Sequence, residues 1–231
     1  MRMLLIETAT SICSVALTDG GEVCQVRQSA ESGAHSASLT LFIDDVLKAQ
    51  GLRPCEIDAV CVSSGPGSYT GLRIGVSTAK GLCYALNKPL VAVPTLLSMA
   101  ALYYARHPHY EGLVCPMIDA RRMECYTMMV NKELQVLRPT SADVIEQGIF
   151  DSWLDEQAVT FIGDGAAKTM PLLGVHDRAL FDNDFTISAE GMAEIASRKL
   201  AQGEVEDVAY FEPFYLKDFV AKKSTVHGLR D

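Results

Sequence analysis

The chain has 231 residues, enough for one compact domain or two small lobes, and 48% of them are hydrophobic, which argues against a disordered protein. Its 20 basic and 29 acidic residues leave a formal net charge of −9, and no basic stripe is visible of the kind that tight nucleic-acid binders carry. The seven cysteines include no CxxC pair, which argues against a disulfide framework or a zinc site. The N-terminal apolar run ends at Glu7, so we expect no signal peptide, no membrane span and a cytoplasmic protein.

Strands and helices alternate in the first half of the chain. Short apolar runs predict strands at 3–8, 12–17, 22–27, 57–62 and 90–93. Apolar residues at three- and four-residue spacing predict a helix through Leu39, Ile43 and Leu47. Two further helices are predicted, one at 70–86 and one from Pro94 to about residue 105.

The second half repeats this order of elements but not the residues. Strands are predicted at 113–118, 124–130, 134–137 and 159–162. Helices are predicted at 141–147 with Ser141 as its cap, shortly after residue 165, and at 189–201. A βββαβα order that occurs twice is typical of an α/β protein whose two lobes face a cleft, the actin-like and sugar-kinase-like (ASKHA) architecture.

The boundary between the two lobes is predicted where the chain reads His107, Pro108 and His109, because a proline disfavours helix at the residue before it. We therefore assign 1–106 to an N-terminal lobe and 107–231 to a C-terminal lobe. One alternative is that the C-terminal tail, although assigned to the second lobe, packs back on the first lobe.

Several stretches carry a resemblance to a known family. The block from Ser64 to Gly75 is similar to the signature of TsaB (YeaZ) proteins, and residues 6–17 resemble their first hairpin. Residues 119–126 resemble their second-lobe hairpin, while 163–165 and 213–217 match later landmarks. The resemblance thus spans nearly the whole chain, and the first block is the most specific part of it.

This resemblance implies a function. TsaB-like proteins are non-catalytic subunits that pair with a TsaD-like catalytic subunit and a TsaE-like ATPase, and help to attach threonylcarbamoyl to adenosine next to the tRNA anticodon. It further implies a homodimer when the chain is alone, and contact with tRNA only indirectly through the partner. No cofactor is implied for the isolated chain, and ATP or ADP is implied only within the complex.

No catalytic residue and no metal site is predicted. A metal pair of the HxxxH type, which the resemblance assigns to the TsaD branch, is missing because Leu39 stands four residues after His35. We interpret all five histidines as surface or capping residues: His35, His107, His109, His176 and His227. Ser68 lacks the GxSxG context of a nucleophile.

A set of residues is predicted as vestigial contacts with a nucleotide or anion: Glu7, Thr8, Asp119, Arg121, Arg122, Gly163, Asp164 and Gly165. The family typically carries Asp at position 7, so the longer Glu puts the inherited geometry toward a metal-bound phosphate in doubt. Arg121 and Arg122 can pair with a phosphate or a partner carboxylate, or form a local pair with Asp119 in a solvated turn. The glycine-rich loop 65–75 lacks the Walker ending and GxGxxG spacing, which favours a tight strand-to-helix turn.

The helix at 70–86 is the candidate partner surface. Leu72, Val76 and Cys83 share one apolar side, and an adjoining side carries mostly small residues. A helix this apolar needs a second cover, from this chain or from a partner. The predicted interface for the partner or the dimer consists of Ser68, Tyr69, Thr70, Gly71, Arg73, Ile74, Gly75, Thr78, Leu82 and Ala85. A wholly internal core helix is the alternative.

Two other functions remain open. One is an actin-fold kinase or ATPase that uses the inter-lobe cleft, against which stand the absent phosphate motifs and Glu7. The other is a metallopeptidase-like enzyme, against which stands the missing histidine pair. Binding and turnover assays on the isolated chain separate these enzymes from a binding subunit.

Overall fold

Two five-stranded mixed sheets and their covering helices make up the computed structural model, which describes residues 1–29 and 35–217. The first half contains β1 (Met3–Glu7), β2 (Cys13–Asp19), β3 (Glu22–Ser29), α1 (His35–Ala49), a 3-10 helix (Pro54–Glu56), β4 (Ala59–Ser63), α2 (Tyr69–Leu86), β5 (Leu90–Val93) and α3 (Thr95–Arg106). The second half contains β6 (Leu113–Asp119), β7 (Glu124–Val130), β8 (Val136–Val144), α4 (Asp151–Leu154), β9 (Val159–Ile162), α5 (Ala166–Leu173), β10 (Ala179–Asp182), a 3-10 helix (Ala189–Met192) and α6 (Ala193–Ala201).

The two sheets have the same strand order. The first runs β3-β2-β1-β4-β5, and the second, counted from its antiparallel edge, runs β8-β7-β6-β9-β10. In each sheet the first three strands pair antiparallel and the last two join in parallel. The predicted α/β class with a repeated βββαβα unit is therefore confirmed.

The central strands are buried because helices cover both faces of each sheet. Along β1, Leu4 and Ile6 belong to one apolar cluster with residues of α1 and α2. Met3 and Leu5 point to the opposite face and join a different cluster. A nearly continuous apolar strand is what a sheet covered on both faces requires.

Two helices pack on the sheet that the other half of the chain forms. Helix α3 packs on β6 and β7, where Met99 shares a cluster with Val114. Helix α6 packs on β5, and Ile195 shares a cluster with Met3. The sheets are thus joined by an exchange of helices, while the division of the chain at residue 106 stays a prediction.

The predicted helix at 141–147 is wrong, because Ser141 lies in β8 opposite Thr127 of β7. The Ser141 hydroxyl donates to Asp143 Oδ2 at 2.9 Å, so it serves a strand network instead of capping a helix. The Arg138 guanidinium also donates to both carboxylate oxygens of Asp143 at 2.8 Å, and Thr127 donates to the same carboxylate. These side-chain bonds hold β8 at the edge of the second sheet.

Smaller differences concern element ends. The short elements α4 and β10 are absent from the predicted set, and the last predicted helix begins with the 3-10 turn at Ala189–Met192 before α6. The strand predicted to begin at Leu134 begins two residues later, because Leu134 has a left-handed backbone (φ +59°) in the preceding turn. Among the helices in the described ranges, none has both the length and the hydropathy needed to cross a membrane.

Candidate functional site

The carboxyl end of β1 carries Glu7, whose side chain is 0% exposed. Its Oε1 accepts hydrogen bonds from the Ala9 amide at 2.6 Å and the Ser63 hydroxyl at 2.9 Å. Its Oε2 has no hydrogen-bond partner among the described residues. Burial raises the pKa of Glu7 to about 7, and the bonds from Ala9 and Ser63 only partly offset it. The Glu7 carboxyl thus connects the end of β1 to β4 through the Ser63 hydroxyl.

The glycine-rich connection between β4 and α2 is built by close backbone contacts. The Ser68 amide donates to the Ala9 carbonyl at 2.6 Å, and the Ser68 hydroxyl caps α2 by accepting from the Gly71 amide at 3.3 Å. Gly65 has φ +107°, and a Cβ there would lie 2.6 Å from the Phe214 carbonyl oxygen. The interpretation of this loop as a tight strand-to-helix turn is therefore confirmed.

Thr8, Gly71 and Gly75 form the contact between β1 and α2. The Thr8 hydroxyl donates to the Gly71 carbonyl at 2.8 Å. A Cβ on Gly71 would overlap the Thr8 carbonyl, and one on Gly75 would overlap Thr8 Oγ1. This corrects the predicted interface: the two glycines are buried where α2 approaches its own sheet, so the exposed side of α2 does not include them.

The outer side of α2 is open to solvent. Tyr84 is 86% exposed, and Ser77, Gly81 and Ala85 recur one helical turn apart on the same side. Of the other residues predicted at the interface, Ser68, Thr70 and Arg73 are exposed, whereas Tyr69, Ile74, Thr78 and Leu82 are half-buried. Eight of the ten predicted residues thus keep some exposed surface, although Ile74 and Leu82 also pack against the core, and the interface itself stays a prediction.

An aromatic stack stands at the first turn of α2. The Tyr69 ring packs against Tyr215 with centroids 4.8 Å apart. The Arg73 guanidinium carbon lies 5.4 Å from the centroid of the Tyr69 ring, and Arg73 donates to the Tyr69 hydroxyl at 3.2 Å. No local pattern in the sequence pairs these two rings, because Tyr215 is far from Tyr69 along the chain.

The segment that carries Tyr215 connects the two sheets. The Phe214 amide donates to the Ser64 carbonyl at 2.7 Å, in the connection between β4 and α2. Lys80 of α2 donates to the carbonyl oxygen of Phe211 at 2.8 Å. Lys217 then pairs with Glu124 of β7, so the last described residues run from the first sheet to the second.

Lys168 of α5 stabilises the connection between β6 and β7 through hydrogen bonds. Its ammonium donates to Asp119 Oδ1 and to the carbonyl oxygens of Arg122 and Glu124, the latter two at 2.7 Å. Asp119 Oδ1 also accepts from the Arg121 amide at 2.8 Å. Partial burial opposes ionisation, but these bonds hold the pKa of Asp119 below its ordinary value. Lys168 is a site residue that the sequence did not indicate.

Arg121 and Arg122 adopt left-handed backbone conformations, with φ of +74° and +53°. For residues other than glycine this region costs on the order of 1 kcal/mol or more each. Both residues are exposed, and within the described chain neither guanidinium has a carboxylate within 4.0 Å. Neither arginine therefore forms a close ion pair with Asp119, whose Oδ1 receives Lys168 instead.

The turn from β9 to α5 carries Gly163, Asp164 and Gly165. Gly163 has φ +97°, and a Cβ there would overlap the Met117 carbonyl of β6. Asp164 Oδ1 accepts from the Asp119 amide at 2.9 Å, which joins this turn to the β6–β7 connection. The six second-half candidates thus meet at one end of the second sheet, while Glu7 and Thr8 are buried at the carboxyl end of β1 in the first sheet.

A cavity of about 260 Å³ lies between the two halves of the chain. Its lining comes from the β1–β2 turn, from α3 and from the residues around α5 and β10: Thr10, Ser11, Ile12, Met99, Gly163, Asp164, Ala167, Asn183, Phe185, Thr186 and Ile187. Both polar and apolar groups line it.

The histidines are dispersed. The His107 ring stacks on Tyr103 at 4.2 Å, and His176 Nε2 lies 3.4 Å from Asp155. His109 is exposed, and His227 lies outside the described residues. Across residues 1–29 and 35–217, no group of three histidine, cysteine or acidic side chains is placed to hold a metal ion.

Comparisons with known proteins concern the family and the fold of the chain. The family model for TsaD, described as tRNA N6-adenosine threonylcarbamoyltransferase, matches residues 28–225. The tRNA threonylcarbamoyladenosine biosynthesis protein TsaB of Escherichia coli is 31% identical over 96% of this chain and 97% of its own. The structure of YeaZ from Pseudomonas aeruginosa superposes with a TM-score of 0.78 at 27% identity, covering 93% of this chain and 99% of that one.

A more distant likeness concerns the fold alone. The activator of the 2-hydroxyisocaproyl-CoA dehydratase from Clostridium difficile, solved with bound ADPNP, superposes with a TM-score of 0.51 at 10% identity over 90% of this chain and 99% of that one. The predicted actin-like fold is confirmed. The chain belongs to the TsaB (YeaZ) family of tRNA threonylcarbamoyladenosine biosynthesis proteins, within the wider group that the TsaD family model describes.

Proposed function

We propose that the chain is a non-catalytic subunit that pairs with and supports a TsaD-like catalytic subunit, which transfers threonylcarbamoyl to adenosine next to the tRNA anticodon. Similarity to TsaB over nearly the full length of both chains supports the proposal, because that relative is named as a biosynthesis protein and not as a transferase. The proposal includes a TsaE-like ATPase as a second partner, a homodimer when the chain is alone, and a cytoplasmic location. Under this proposal the chain contacts tRNA only indirectly, through its partner, and ATP or ADP can bind only within the complex.

The observation that carries the proposal is the outer side of α2. Ser77, Gly81 and Ala85 form a small-residue row, and a Cβ added to Gly81 would meet nothing within 4 Å. Beside this row, Tyr84 is exposed almost completely. A flat row of small residues lets a second helix approach closely, and an exposed tyrosine supplies a large contact area at low entropic cost.

The state of Glu7 supports a non-catalytic role. In an actin-like fold, an acidic residue at the end of the first strand helps to handle metal-bound phosphate. Here one carboxylate oxygen is already shared by the Ala9 amide and the Ser63 hydroxyl, and the side chain has no exposed surface. Burial also favours its neutral form, which is a poor ligand for a cation.

Co-purification with the TsaD-like protein of the same organism tests the proposal, with Ala85→Arg as the interface variant. A long charged side chain at the centre of a desolvated interface should weaken pairing at least tenfold. Ala201→Arg, at an exposed position of α6, is the matched control and should pair normally. Both variants should keep the wild-type melting temperature, since both positions are exposed.

Light scattering reports the homodimer in the same preparations. The proposal predicts a dimer for the wild type and for Ala201→Arg, and a monomer for Ala85→Arg. A folded Ala85→Arg protein that dimerises and binds the TsaD-like protein as the wild type does would refute the assignment of α2 as the partner surface. Failure of the wild-type proteins to associate at all would refute the proposed function itself.

The cavity between the two halves favours a second candidate, an actin-fold ATPase or kinase. It is lined by hydroxyl groups of Thr10 and Ser11 and by Asp164, which are groups able to hydrogen-bond a nucleotide. Measuring ATP turnover by the isolated chain decides between the two. Robust turnover that Asp164→Asn abolishes would establish the enzyme, whereas the subunit proposal predicts negligible turnover.

A further inference from the structure

The connection between β6 and β7 places two arginines side by side in an unfavourable backbone conformation. Arg121 and Arg122 both have positive φ, a region that asparagine and glycine adopt much more easily. A turn selected only to join two strands would favour those smaller residues. The presence of two long cationic side chains in this backbone conformation therefore points to a role for the side chains themselves.

The acidic groups around the turn are already engaged by other partners. Asp119 receives Lys168 and the Arg121 amide, and Asp164 receives the Asp119 amide. Glu124 is paired with Lys217 of the C-terminal segment. These bonds fix the backbone of the turn, and Lys168 and Lys217 pair with two of its three carboxylates.

Within the described ranges neither guanidinium has a carboxylate within 4.0 Å, although the chain has a formal net charge of −9. Four other arginines of the described ranges pair with a carboxylate: Arg2, Arg53, Arg106 and Arg138. The remaining arginines of the described ranges, Arg27, Arg73, Arg178 and Arg198, also have no carboxylate within 4.0 Å, so Arg121 and Arg122 differ from them in being adjacent and in having positive φ.

We infer that Arg121 and Arg122 form a phosphate-binding site at the end of the second sheet. The guanidinium groups of two successive residues offer more donors than one carboxylate can accept, whereas phosphate oxygens can accept from both. The phosphate has two possible sources, the backbone of an RNA or the phosphates of a nucleotide. The inference rests on the proposed function for its choice of RNA, since the substrate of the complex is a tRNA.

This inference is compatible with weak RNA binding by the isolated chain. Two arginines neutralise at most about two phosphates, which by itself gives little affinity at physiological salt. Their contribution becomes measurable when a partner supplies the remaining contacts. The test therefore uses the full chain assembled with its TsaD-like partner.

The test variant is Arg121→Gly/Arg122→Asn. It removes both charges and places residues that tolerate left-handed φ at both positions. Its melting temperature should stay equal to the wild type or rise, so a loss of binding is not attributable to misfolding. The control is Arg27→Asn/Arg198→Asn, which removes two charges from exposed positions of β3 and α6, elements associated with the first sheet.

Binding of tRNA to the complex is measured by fluorescence anisotropy over a series of salt concentrations. The test variant should bind at least tenfold more weakly, and the slope of log K against log salt should become shallower by about 1 to 2. The control should keep the wild-type slope. A parallel titration with ATP distinguishes the sources: weakened tRNA binding with unchanged ATP binding identifies RNA phosphate, and the reverse identifies a nucleotide.

Three outcomes would overturn the site. Unchanged binding of tRNA and ATP by the test variant would exclude a phosphate site at these arginines. Equal losses of binding in the test and control variants would show a general effect of charge instead of a specific site. Loss of assembly with the partner in size-exclusion chromatography, seen only for the test variant, would assign the arginines to a partner carboxylate. A wild-type chain that fails to assemble is a failure of the proposed function and is recognised before any ligand is added.

Discussion

Replacing Glu7 by glutamine should change how the stability of the protein depends on pH. Glutamine keeps the size of the side chain and the oxygen that accepts from Ala9 and Ser63, but it does not ionise. In the wild type, burial raises the pKa of Glu7 from an ordinary value of 4.5 to about 7. The folded state therefore holds a proton between those pH values that the unfolded chain has released.

The sign follows from that difference in protons. Below pH 4.5 both states are protonated, and the favourable effect of the raised pKa is fully present. This contribution to the free energy of unfolding is lost as pH rises from 4.5 through about 7. The loss is about 1.4 kcal/mol per pH unit, or about 3 kcal/mol in total. Relative to Glu7→Gln, the wild type should lose this stability between about pH 4.5 and 7, and the difference should level off above pH 7.

Urea unfolding of both proteins at half-unit steps from pH 5 to 8 measures this effect. Subtracting the two curves removes the contributions of all other titrating groups that the substitution leaves unchanged. A difference that stays constant with pH, or that moves in favour of the wild type as pH rises, would show that Glu7 is not the buried neutral acid described above.

Further predictions concern α2, β8 and the isolated chain. Gly81→Ala should raise the free energy of unfolding by about 0.5–1 kcal/mol, since the methyl group meets open space, whereas Gly75→Ala should lower it by about 1–3 kcal/mol because the methyl group overlaps Thr8. Thermal melts of this matched pair should shift in opposite directions. Asp143→Ala should lower the same free energy by about 3 kcal/mol, because Arg138 is left without its bidentate partner, as denaturant unfolding can measure. The isolated chain should contain no stoichiometric metal by elemental analysis and release negligible phosphate from ATP. In gel-shift titrations it should bind tRNA weakly and lose that binding with added salt.

Helix α2 shows what the sequence could and could not predict. Leu72, Val76 and Cys83 were expected on one side from their spacing alone, and all three are buried. Gly71 and Gly75 stand on an adjoining side, and a glycine has no side chain whose polarity could indicate a direction. The same pattern fits close approach to a partner or to β1, and only the contact with Thr8 decides between them.

Strand β8 was missed for a different reason. Ser141, Ala142 and Asp143 are residues that commonly begin a helix, and locally nothing contradicts that. What makes them a strand is pairing with β7 and the bonds of Asp143 to Arg138 and Thr127, none of which has a local signature. Tertiary contacts here override local preference.

The candidate site also depends on contacts between distant positions. The order of strands brings Ser63 to Glu7, 56 residues away, and Lys168 to Asp119, 49 residues away. Motifs in the sequence identified Glu7 and Asp119 but not their partners. The carboxylates could be found by resemblance, whereas the groups that set their protonation and pairing follow only from the sheet topology.

The exchange of helices between the sheets has a consequence for synthesis of the chain on the ribosome. One face of the first sheet, where Met3 and Leu5 lie, is covered by residues 189–201, which are translated long after that sheet is complete. Until residues 189–201 emerge from the ribosome, this apolar face has no native cover. Helix α3 likewise lacks its native contacts until β6 and β7 have been translated. The two halves should therefore mature together in one late step, and an incomplete chain should depend on chaperones to shield that face.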